Sequence, residues 1–204
     1  MITLKQDGAL WVVTLNRPEK ANSLTSDMLS RLIEIADEAQ GAAKVLVLTG
    51  AGKVFSAGAD LDEARAGLAT SPLWEELSGR LATLPCLTIA ALNGTLAGGA
   101  FGMALACDMR IADPAAKFFY PVMKLGFLPQ PSDPKRLADL IGPARAKMIL
   151  MAGQKIPSEE ALAWGLVDRL IPAADQAEAI IALSEAALAA TSDHIAGIKG
   201  LIPA

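Results

Sequence analysis

The sequence has 204 residues, of which 52% are hydrophobic and 20% are charged, and its formal net charge is −4. This length is enough for one well-buried core, and because no linker-like stretch or block of charge divides the chain, we expect one domain over residues 1–204. The mildly acidic balance excludes the basic footprint of a nucleic-acid-binding protein. Residues 1–6 lack the features of a secretory signal, and Cys86 and Cys107 lack CxxC or metal-ligand spacing. We therefore expect a cytoplasmic protein with reduced thiols and no metal site.

The first part of the chain alternates apolar strand-like segments with a helix-like one. Strands are predicted at residues 2–6, 10–15, 45–48 and 86–92. Asp7 and Gly8 favour a hairpin turn between the first two. Apolar residues recur at helical spacing over residues 25–40, where Thr25 or Ser26 can cap the helix. Apolar strands that alternate with helices predict an α/β fold with parallel strands and crossover connections.

From residue 61 onward helices are expected to dominate, and the C-terminal third is predicted to be mostly helical. One predicted helix begins at residue 61, and six others occupy residues 72–84, 98–106, 134–141, 143–151, 158–164 and 175–190. A further strand is predicted at residues 109–112. Residues 81–107 carry no charge and are long enough to span a bilayer. Pro85 and the glycines of this stretch interrupt it, which favours strand, turn and buried helix over a membrane span.

Two turns built of small residues stand out in this pattern. FSAGADL (residues 55–61) and NGTLAGGAFGM (residues 93–103) each follow an apolar strand-like run and lead into a helix. Helix starts leave unpaired N–H groups, and glycine or alanine there lets a ligand approach the main chain closely. Asp60 is expected to cap the helix that begins at Leu61. The two turns together are typical of an oxyanion hole.

These turns belong to a longer set of segments that resembles the enoyl-CoA hydratase/isomerase (crotonase) superfamily. The matching segments are LNRPEKANSL (15–24), VLVLTG (45–50), FSAGADL (55–61), NGTLAGGA (93–100), ACDMRIA (106–112), LGFLP (125–129) and GLVD (165–168). The resemblance implies a crotonase-like spiral of stacked ββα turns that binds a coenzyme A thioester and acts through an enolate. It also implies that the N–H groups of Ala59 and Gly99 hold the thioester carbonyl.

The same resemblance suggests where the rest of the ligand lies. The residues expected along the coenzyme A part are Lys20, Ala21, Ala57, Asp60 and Leu61. Coenzyme A would enter as part of an acyl-CoA substrate, with no permanently bound cofactor. Because members of the family assemble as trimers, the resemblance implies a homo-oligomer, a trimer or a multiple of trimers.

The sequence departs from the family at both usual acids. Hydratases of this family carry one glutamate after the Gly-rich turn and another after a later proline, and these positions are Gly102 and Val122 here. Hydration needs a base for the water and an acid for the carbon, each worth about 10²–10⁴ in rate. Ordinary hydratase activity is therefore not expected.

Three other polar residues are candidates near the acyl group. Asp133 is the best surviving carboxylate, or it caps the following helix, a role that the Asp-Pro pair favours. Gln130 stands where other members carry an acid but cannot act as a base. Tyr120 either donates a hydrogen bond near the thioester or packs beside Phe118 and Phe119. Two functions stay open: an acyl-CoA lyase or isomerase with atypical acid/base residues, and a non-catalytic acyl-CoA-binding or regulatory protein.

Overall fold

The computed structural model describes residues 1–202, in which strands and helices alternate. The strands are β1 (Ile2–Asp7), β2 (Leu10–Leu15), β3 (Val45–Gly50), β4 (Val54–Ser56), β5 (Leu87–Leu92), β6 (Thr95–Ala97), β7 (Met109–Ala112), β8 (Lys117–Phe119), β9 (Ile156–Pro157) and β10 (Arg169–Leu170). The helices are α1 (Ser26–Ala39), α2 (Leu61–Arg65), α3 (Leu73–Thr83), α4 (Phe101–Leu105), α5 (Val122–Leu125), α6 (Asp133–Ile141), α7 (Pro143–Leu150), α8 (Ser158–Trp164), α9 (Gln176–Ala189) and α10 (Ser192–Leu201).

The strands form two sheets. The larger has the order β1-β2-β3-β5-β7-β10, in which only the β1–β2 hairpin is antiparallel. The smaller has the order β4-β6-β8-β9 and is parallel except for the last pair. Successive chain segments give one strand to each sheet and then a helix, as β3-β4-α2, β5-β6-α4 and β7-β8-α5 do. This is the α/β spiral of ββα turns that the resemblance implied, and the predicted hairpin and parallel strands are confirmed.

The core lies between the sheets and the helices that cover them. Phe55, Phe101 and Phe118 are fully buried in it, one from each ββα turn. Helix α1 buries the apolar face that its spacing predicted, and Thr25 caps it by accepting the N–H of Met28 at 3.2 Å. At about 25 cal/mol per Å² of apolar surface, this burial is the main force that holds the turns of the spiral together.

The parallel pairing of β4 with β6 sets the geometry of the two small-residue turns. Val54 pairs with Thr95 and Ser56 with Leu96, so the chain leaves both strands at the same edge of the small sheet. Gly58 (φ +91°) and Gly98 (φ +58°) then adopt left-handed conformations that favour glycine. The turns that follow the two strands therefore lie side by side.

The helices differ from the sequence predictions in three places, of which the first is α5, a short helix that was not predicted. The helix predicted at residues 98–106 begins as a 3₁₀ turn at Gly98–Ala100 and becomes α-helical only in α4. Helix α10 was not predicted, and none of its described residues is buried, so no strong apolar stripe marks it. None of the helices described within residues 1–202 combines the length and apolar composition needed to cross a bilayer.

Candidate functional site

The N–H groups of Ala59 and Gly99 lie on the two adjacent turns. Residues 24 and 59 form a parallel bridge in which Leu24 donates to Gly58 O at 2.8 Å and Asp60 donates to Leu24 O at 2.8 Å. This pairing uses the N–H of Asp60 and leaves that of Ala59 free. Within residues 1–202, neither the Ala59 N–H nor the Gly99 N–H has an acceptor among the turn, loop and side-chain hydrogen bonds.

The two turns are in direct contact. A Cβ atom placed on Gly58 would lie 3.4 Å from the nitrogen of Gly99 and 3.0 Å from the carbonyl oxygen of Ala97. A Cβ atom on Gly99 would lie 3.2 Å from the ring of Trp74, a buried residue of α3. A side chain at Gly58 would push the two turns apart, and a side chain at Gly99 would push its turn away from Trp74. The glycines therefore allow two unpaired N–H donors to lie on neighbouring stretches of main chain.

A cleft of about 340 Å³ opens beside the Ala59 turn. Its lining residues are Lys20, Ser23, Ala57, Ala59, Asp60, Leu61, Asp62 and Arg65. Four of the five residues predicted along coenzyme A are thus brought together, and the fifth, Ala21, lies behind them. Its carbonyl oxygen accepts the N–H of Ala57 at 3.0 Å, so it joins the two segments without lining the cleft.

Asp60 has the capping role that the sequence predicted. Its carboxylate accepts the N–H groups of Asp62 at 3.0 Å and Glu63 at 3.4 Å, at the start of α2. The other oxygen accepts a hydrogen bond from Arg17 at 2.7 Å. This bond from Arg17, followed by the bonds from the helix start, holds the pKa of Asp60 below its usual range. Asp60 is therefore a charged residue that supports the Ala59 turn.

A buried polar network behind the cleft was missed by the sequence predictions. Asn22 is fully buried in a left-handed conformation (φ +51°), and its amide donates to Ala51 O at 2.8 Å and Val54 O at 2.7 Å. Ser56 Oγ donates to Asn22 O at 2.8 Å and accepts the N–H of Gly58 at 3.1 Å. The available signal was an asparagine in the segment that matched the family, since asparagine adopts left-handed backbone more readily than most residues.

Asp133 does not cap α6, which corrects the role that the sequence favoured. It is the first residue of that helix, with Ser132 at the capping position, and no side chain caps the helix. Asp133 is only 1% exposed, and its Oδ2 accepts a hydrogen bond from Tyr120 Oη at 3.0 Å. Its Oδ1 is buried without a hydrogen-bond partner among the described residues. Packing against the protein interior has turned this carboxyl away from its own helix.

The carboxyl of Asp133 occupies the space that a side chain at position 102 would fill. A Cβ atom placed on Gly102 of α4 would lie 2.9 Å from Asp133 Oδ1 and 3.5 Å from Asp133 Oδ2. Position 102 is where the family resemblance expects the first glutamate. An acid is therefore present at this point of the fold, but it comes from α6.

The surroundings of Asp133 favour its neutral form. Burial raises the pKa of Asp133 to about 7, opposed by the hydrogen bond from Tyr120 and the charge of Arg136, while Glu75 adds to the increase. Glu75 accepts from Ser132 Oγ at 3.0 Å, and Arg136 donates to Ser132 Oγ at 2.7 Å. No local signal in the sequence predicts this cluster, because its members come from distant parts of the chain.

The other predicted residues of the acyl site lie around this carboxyl. Tyr120 both donates to Asp133 and stacks on Phe101, with ring centroids 5.4 Å apart, and burial raises the pKa of its hydroxyl. Gln130 contributes main-chain atoms: its N–H lies 3.5 Å from Tyr120 Oη, and its carbonyl accepts the N–H of Asp133 at 3.1 Å. Val122, where the family resemblance implies the second glutamate, is buried and apolar.

In residues 1–202, no three His, Cys, Asp or Glu side chains are grouped as a metal site requires. Both cysteines are buried free thiols, and burial raises the pKa of Cys86 to about 11 and that of Cys107 to about 12.

Comparison with known proteins agrees with the fold. The sequence profile of the family described as Enoyl-CoA hydratase/isomerase matches residues 5–202. A short-chain-enoyl-CoA hydratase of Clostridium acetobutylicum is 37% identical over 178 residues, which cover 83% of this chain and 68% of that protein. A solved enoyl-CoA hydratase from Bacillus anthracis has a TM-score of 0.90 and 32% identity, over 98% of this chain and 81% of that one.

A candidate enoyl-CoA hydratase of Thermobifida fusca, solved in complex with acetoacetyl-CoA, has a TM-score of 0.89 and 29% identity, over 98% of this chain and 85% of that one. The sequence profile covers nearly the whole chain, and the solved structures share its topology. The protein therefore belongs to the enoyl-CoA hydratase/isomerase family.

Proposed function

We propose that the protein is an acyl-CoA enzyme in which the N–H groups of Ala59 and Gly99 bind the thioester oxygen and Asp133 transfers a proton. The observation that carries this proposal is the buried, unpartnered Oδ1 of Asp133 in the space of a side chain at Gly102. A carboxyl in that space replaces one of the two acids that the motif positions lack. The chemistry would then pass through a thioester enolate.

The two free N–H groups supply the electrostatic part of this function. When a thioester loses a group from its α-carbon, negative charge builds up on the carbonyl oxygen. Fixed donors aimed at that oxygen stabilise the charge without reorganising, and removal of one such donor costs about 3–4 kcal/mol in known cases. Ala59 and Gly99 support this role because they lie on adjacent turns and have no competing acceptors among the described residues.

Asp133 supports the proton transfer through its position and its pKa of about 7. At neutral pH such a group is present in both its acid and its base forms, which is the condition for efficient general acid–base catalysis. The apolar Val122 leaves the second acid position without a proton-transferring group. The proposal therefore predicts one efficient proton-transfer group and little hydratase activity.

The cleft supports coenzyme A binding along the predicted residues. Arg65 in its lining pairs with Asp62 at 3.1 Å, whereas Lys20 has no ion-pair partner among the described residues and suits the phosphates of coenzyme A. The Ala57–Leu61 stretch leads from there to the N–H of Ala59. The acetoacetyl-CoA complex of the Thermobifida fusca neighbour supports the same ligand class. Coenzyme A is proposed as part of the substrate, with no resident cofactor.

We also propose that the protein assembles as a homo-oligomer, with a trimer as the first candidate, in the cytoplasm. Several large apolar side chains on α5 and the loop after it are exposed: Met123, Leu125, Phe127 and Leu128. A second copy that covers them would remove this apolar surface from water. Multi-angle light scattering tests the assembly, and the two free thiols support a reducing compartment.

The second candidate is a non-catalytic acyl-CoA-binding or regulatory protein, and the loss of an acid at Val122 favours it. Both candidates bind thioesters, so turnover separates them. The experiment incubates the protein with butyryl-CoA in D₂O, and with 2-enoyl and 3-enoyl thioesters, and follows the products by mass spectrometry. We expect deuterium at the α-carbon of butyryl-CoA, reduced about 10²-fold or more in Asp133→Asn.

Asp139→Asn is the matched control, since Asp139 lies on the same helix, is exposed and pairs only with Lys135 among the ion pairs described for residues 1–202. Calorimetry of each variant with butyryl-CoA separates binding from chemistry. Binding without exchange or product would favour the non-catalytic candidate, and absence of binding would refute both.

A further inference from the structure

The carboxyl of Asp133 presents one oxygen at one fixed place. Tyr120 holds its Oδ2 at 3.0 Å, and Oδ1 points into the space beside Gly102 without a partner among the described residues. The side chain is short and rooted in the first turn of α6, so it has little reach. Such a carboxyl can serve one substrate atom and is poorly suited to carry a proton between two.

The charged groups that face Asp133 from neighbouring elements are already engaged. Glu75 of α3 accepts the N–H of Ser132 at 3.2 Å and its hydroxyl at 3.0 Å. Arg136 of α6 donates to the hydroxyls of Ser78 and Ser132 at 2.7 Å each. Tyr120, which precedes α5, donates to Asp133 itself. Asp133 Oδ1 is thus a fully buried oxygen of this cluster that has no hydrogen bond within the described chain.

Reactions of thioester enolates differ in how many proton transfers they need. Hydration needs a base for water and an acid for carbon. A double-bond shift needs a group that takes a proton from one carbon and delivers it to another. Loss of CO₂ from the α-carbon forms the enolate without any base, and needs a single acid at a single carbon. The site matches the third class.

Resting on the function proposed above, we infer that the substrate is a malonyl-type thioester, with a carboxylate on the α-carbon, and that the site catalyses its decarboxylation. The bond between the α-carbon and the carboxylate carbon breaks, and its electron pair becomes the enolate held by the N–H groups of Ala59 and Gly99. CO₂ leaves, and the carboxylic acid of Asp133 gives its proton to the α-carbon. Asp133 regains a proton from water, so no oxidant, reductant or cofactor is consumed.

The apolar side chains near Tyr120 and Gly99 suit this step. Val122 and Phe101 are buried, Phe101 stacks on Tyr120, and the ring of Trp74 lies against Gly99. A carboxylate loses its charge when it departs as CO₂, so surroundings that solvate it poorly favour the departure. A carboxylate side chain at position 122 would instead repel the substrate's own carboxylate.

The test compares two reactions of the same protein. Malonyl-CoA and methylmalonyl-CoA are incubated with it in D₂O, and CO₂ release and deuterium at the α-carbon of the product are measured. Exchange of the α-hydrogens of butyryl-CoA for deuterium is followed in parallel. We expect CO₂ release from at least one of the two malonyl thioesters, about 10²-fold slower in Asp133→Asn and unchanged in Asp139→Asn.

The pH dependence of the two rates tests the chemical role of Asp133, because a purely structural aspartate would not affect it. Decarboxylation uses the protonated carboxyl, so its rate falls as pH rises through about 7, whereas exchange uses the carboxylate and rises over the same range. In Tyr120→Phe, the hydrogen bond that favours the charged form is lost, so both midpoints move upward. This variant keeps the stacking ring and remains informative if Asp133→Asn does not fold.

The possible results test the decarboxylation separately from the proposed enolate function. Exchange of butyryl-CoA without CO₂ release from either malonyl thioester would overturn the inference and leave the proposed enolate function intact. Binding with neither reaction would overturn both. Release of CO₂ that is equal in wild type and Asp133→Asn, or profiles that Tyr120→Phe does not shift, would overturn the role given to Asp133.

Discussion

Replacing Asp133 with asparagine changes how the stability of the protein depends on pH. The pKa of this carboxyl is about 7 in the folded chain, chiefly because it is buried, and near its ordinary value in the unfolded chain. Between these two values the folded state holds a proton that the unfolded state has released. The stability that this bound proton contributes is therefore fully present at low pH and is lost as pH rises toward 7.

The magnitude follows from the two pKa values. A difference of about 3 between an unfolded pKa of about 3.9 and a folded pKa of about 7 corresponds to about 4 kcal/mol. Most of this falls in an accessible range, because the two pH units between 5 and 7 account for about 3 kcal/mol. Asparagine has nearly the same shape and does not titrate, so this loss disappears in the variant.

The assay is urea unfolding of wild type, Asp133→Asn and Asp139→Asn between pH 5 and 8 at constant ionic strength. Fluorescence of the buried Trp11 and Trp74 reports the transition. We expect the difference in free energy of unfolding between Asp133→Asn and wild type to shift by about 3 kcal/mol in favour of the variant from pH 5 to pH 8. The curve of Asp139→Asn should follow that of wild type. Parallel curves for wild type and Asp133→Asn would show that the carboxyl ionises normally, which refutes the reasoning.

Three further changes test the site. Gly99→Val places carbon atoms against the ring of Trp74, since even a Cβ lies 3.2 Å from it, and we expect calorimetry with butyryl-CoA to show no binding by the folded variant. Asn22→Ala removes three side-chain hydrogen bonds and should lower the free energy of unfolding by about 3 kcal/mol in urea titrations. Gly102→Glu alone conflicts with Asp133, so adding Asp133→Gly should recover about 2 kcal/mol of stability or more; additive losses would contradict the shared space.

The turns of the site could be predicted from sequence because their signals are local. A glycine after a short apolar run predicts a tight turn, and Gly58 and Gly98 do adopt left-handed conformations. The cap by Asp60 is equally local and was confirmed. Strands β4 and β6, which aim these turns, were missed because three residues are too few to show a period.

The environment of Asp133 could not be predicted, because local and tertiary signals disagree there. The Asp-Pro pair indicates a helix cap, and the helix does begin at this point. The absence of a side chain at Gly102, however, leaves room in the interior, and Tyr120 supplies a hydrogen bond there. Only the packing of α4 against α6 brings these residues together, and sequence spacing carries no record of that contact.

The carboxyl of Asp133 fills the space that a side chain at Gly102 would occupy. This indicates that an acid at this point of the fold comes from another element and is not simply missing. Filling the same space with a neutral side chain would avoid about 4 kcal/mol of unfavourable ionisation above neutral pH, so packing alone does not account for a carboxyl there. If the carboxyl is kept for chemistry, one ionisation governs three measurements. The upper end of the stability change and the midpoints of exchange and decarboxylation should then coincide near pH 7 and move together in Tyr120→Phe. A structural carboxyl would produce the stability change and neither of the two rate midpoints.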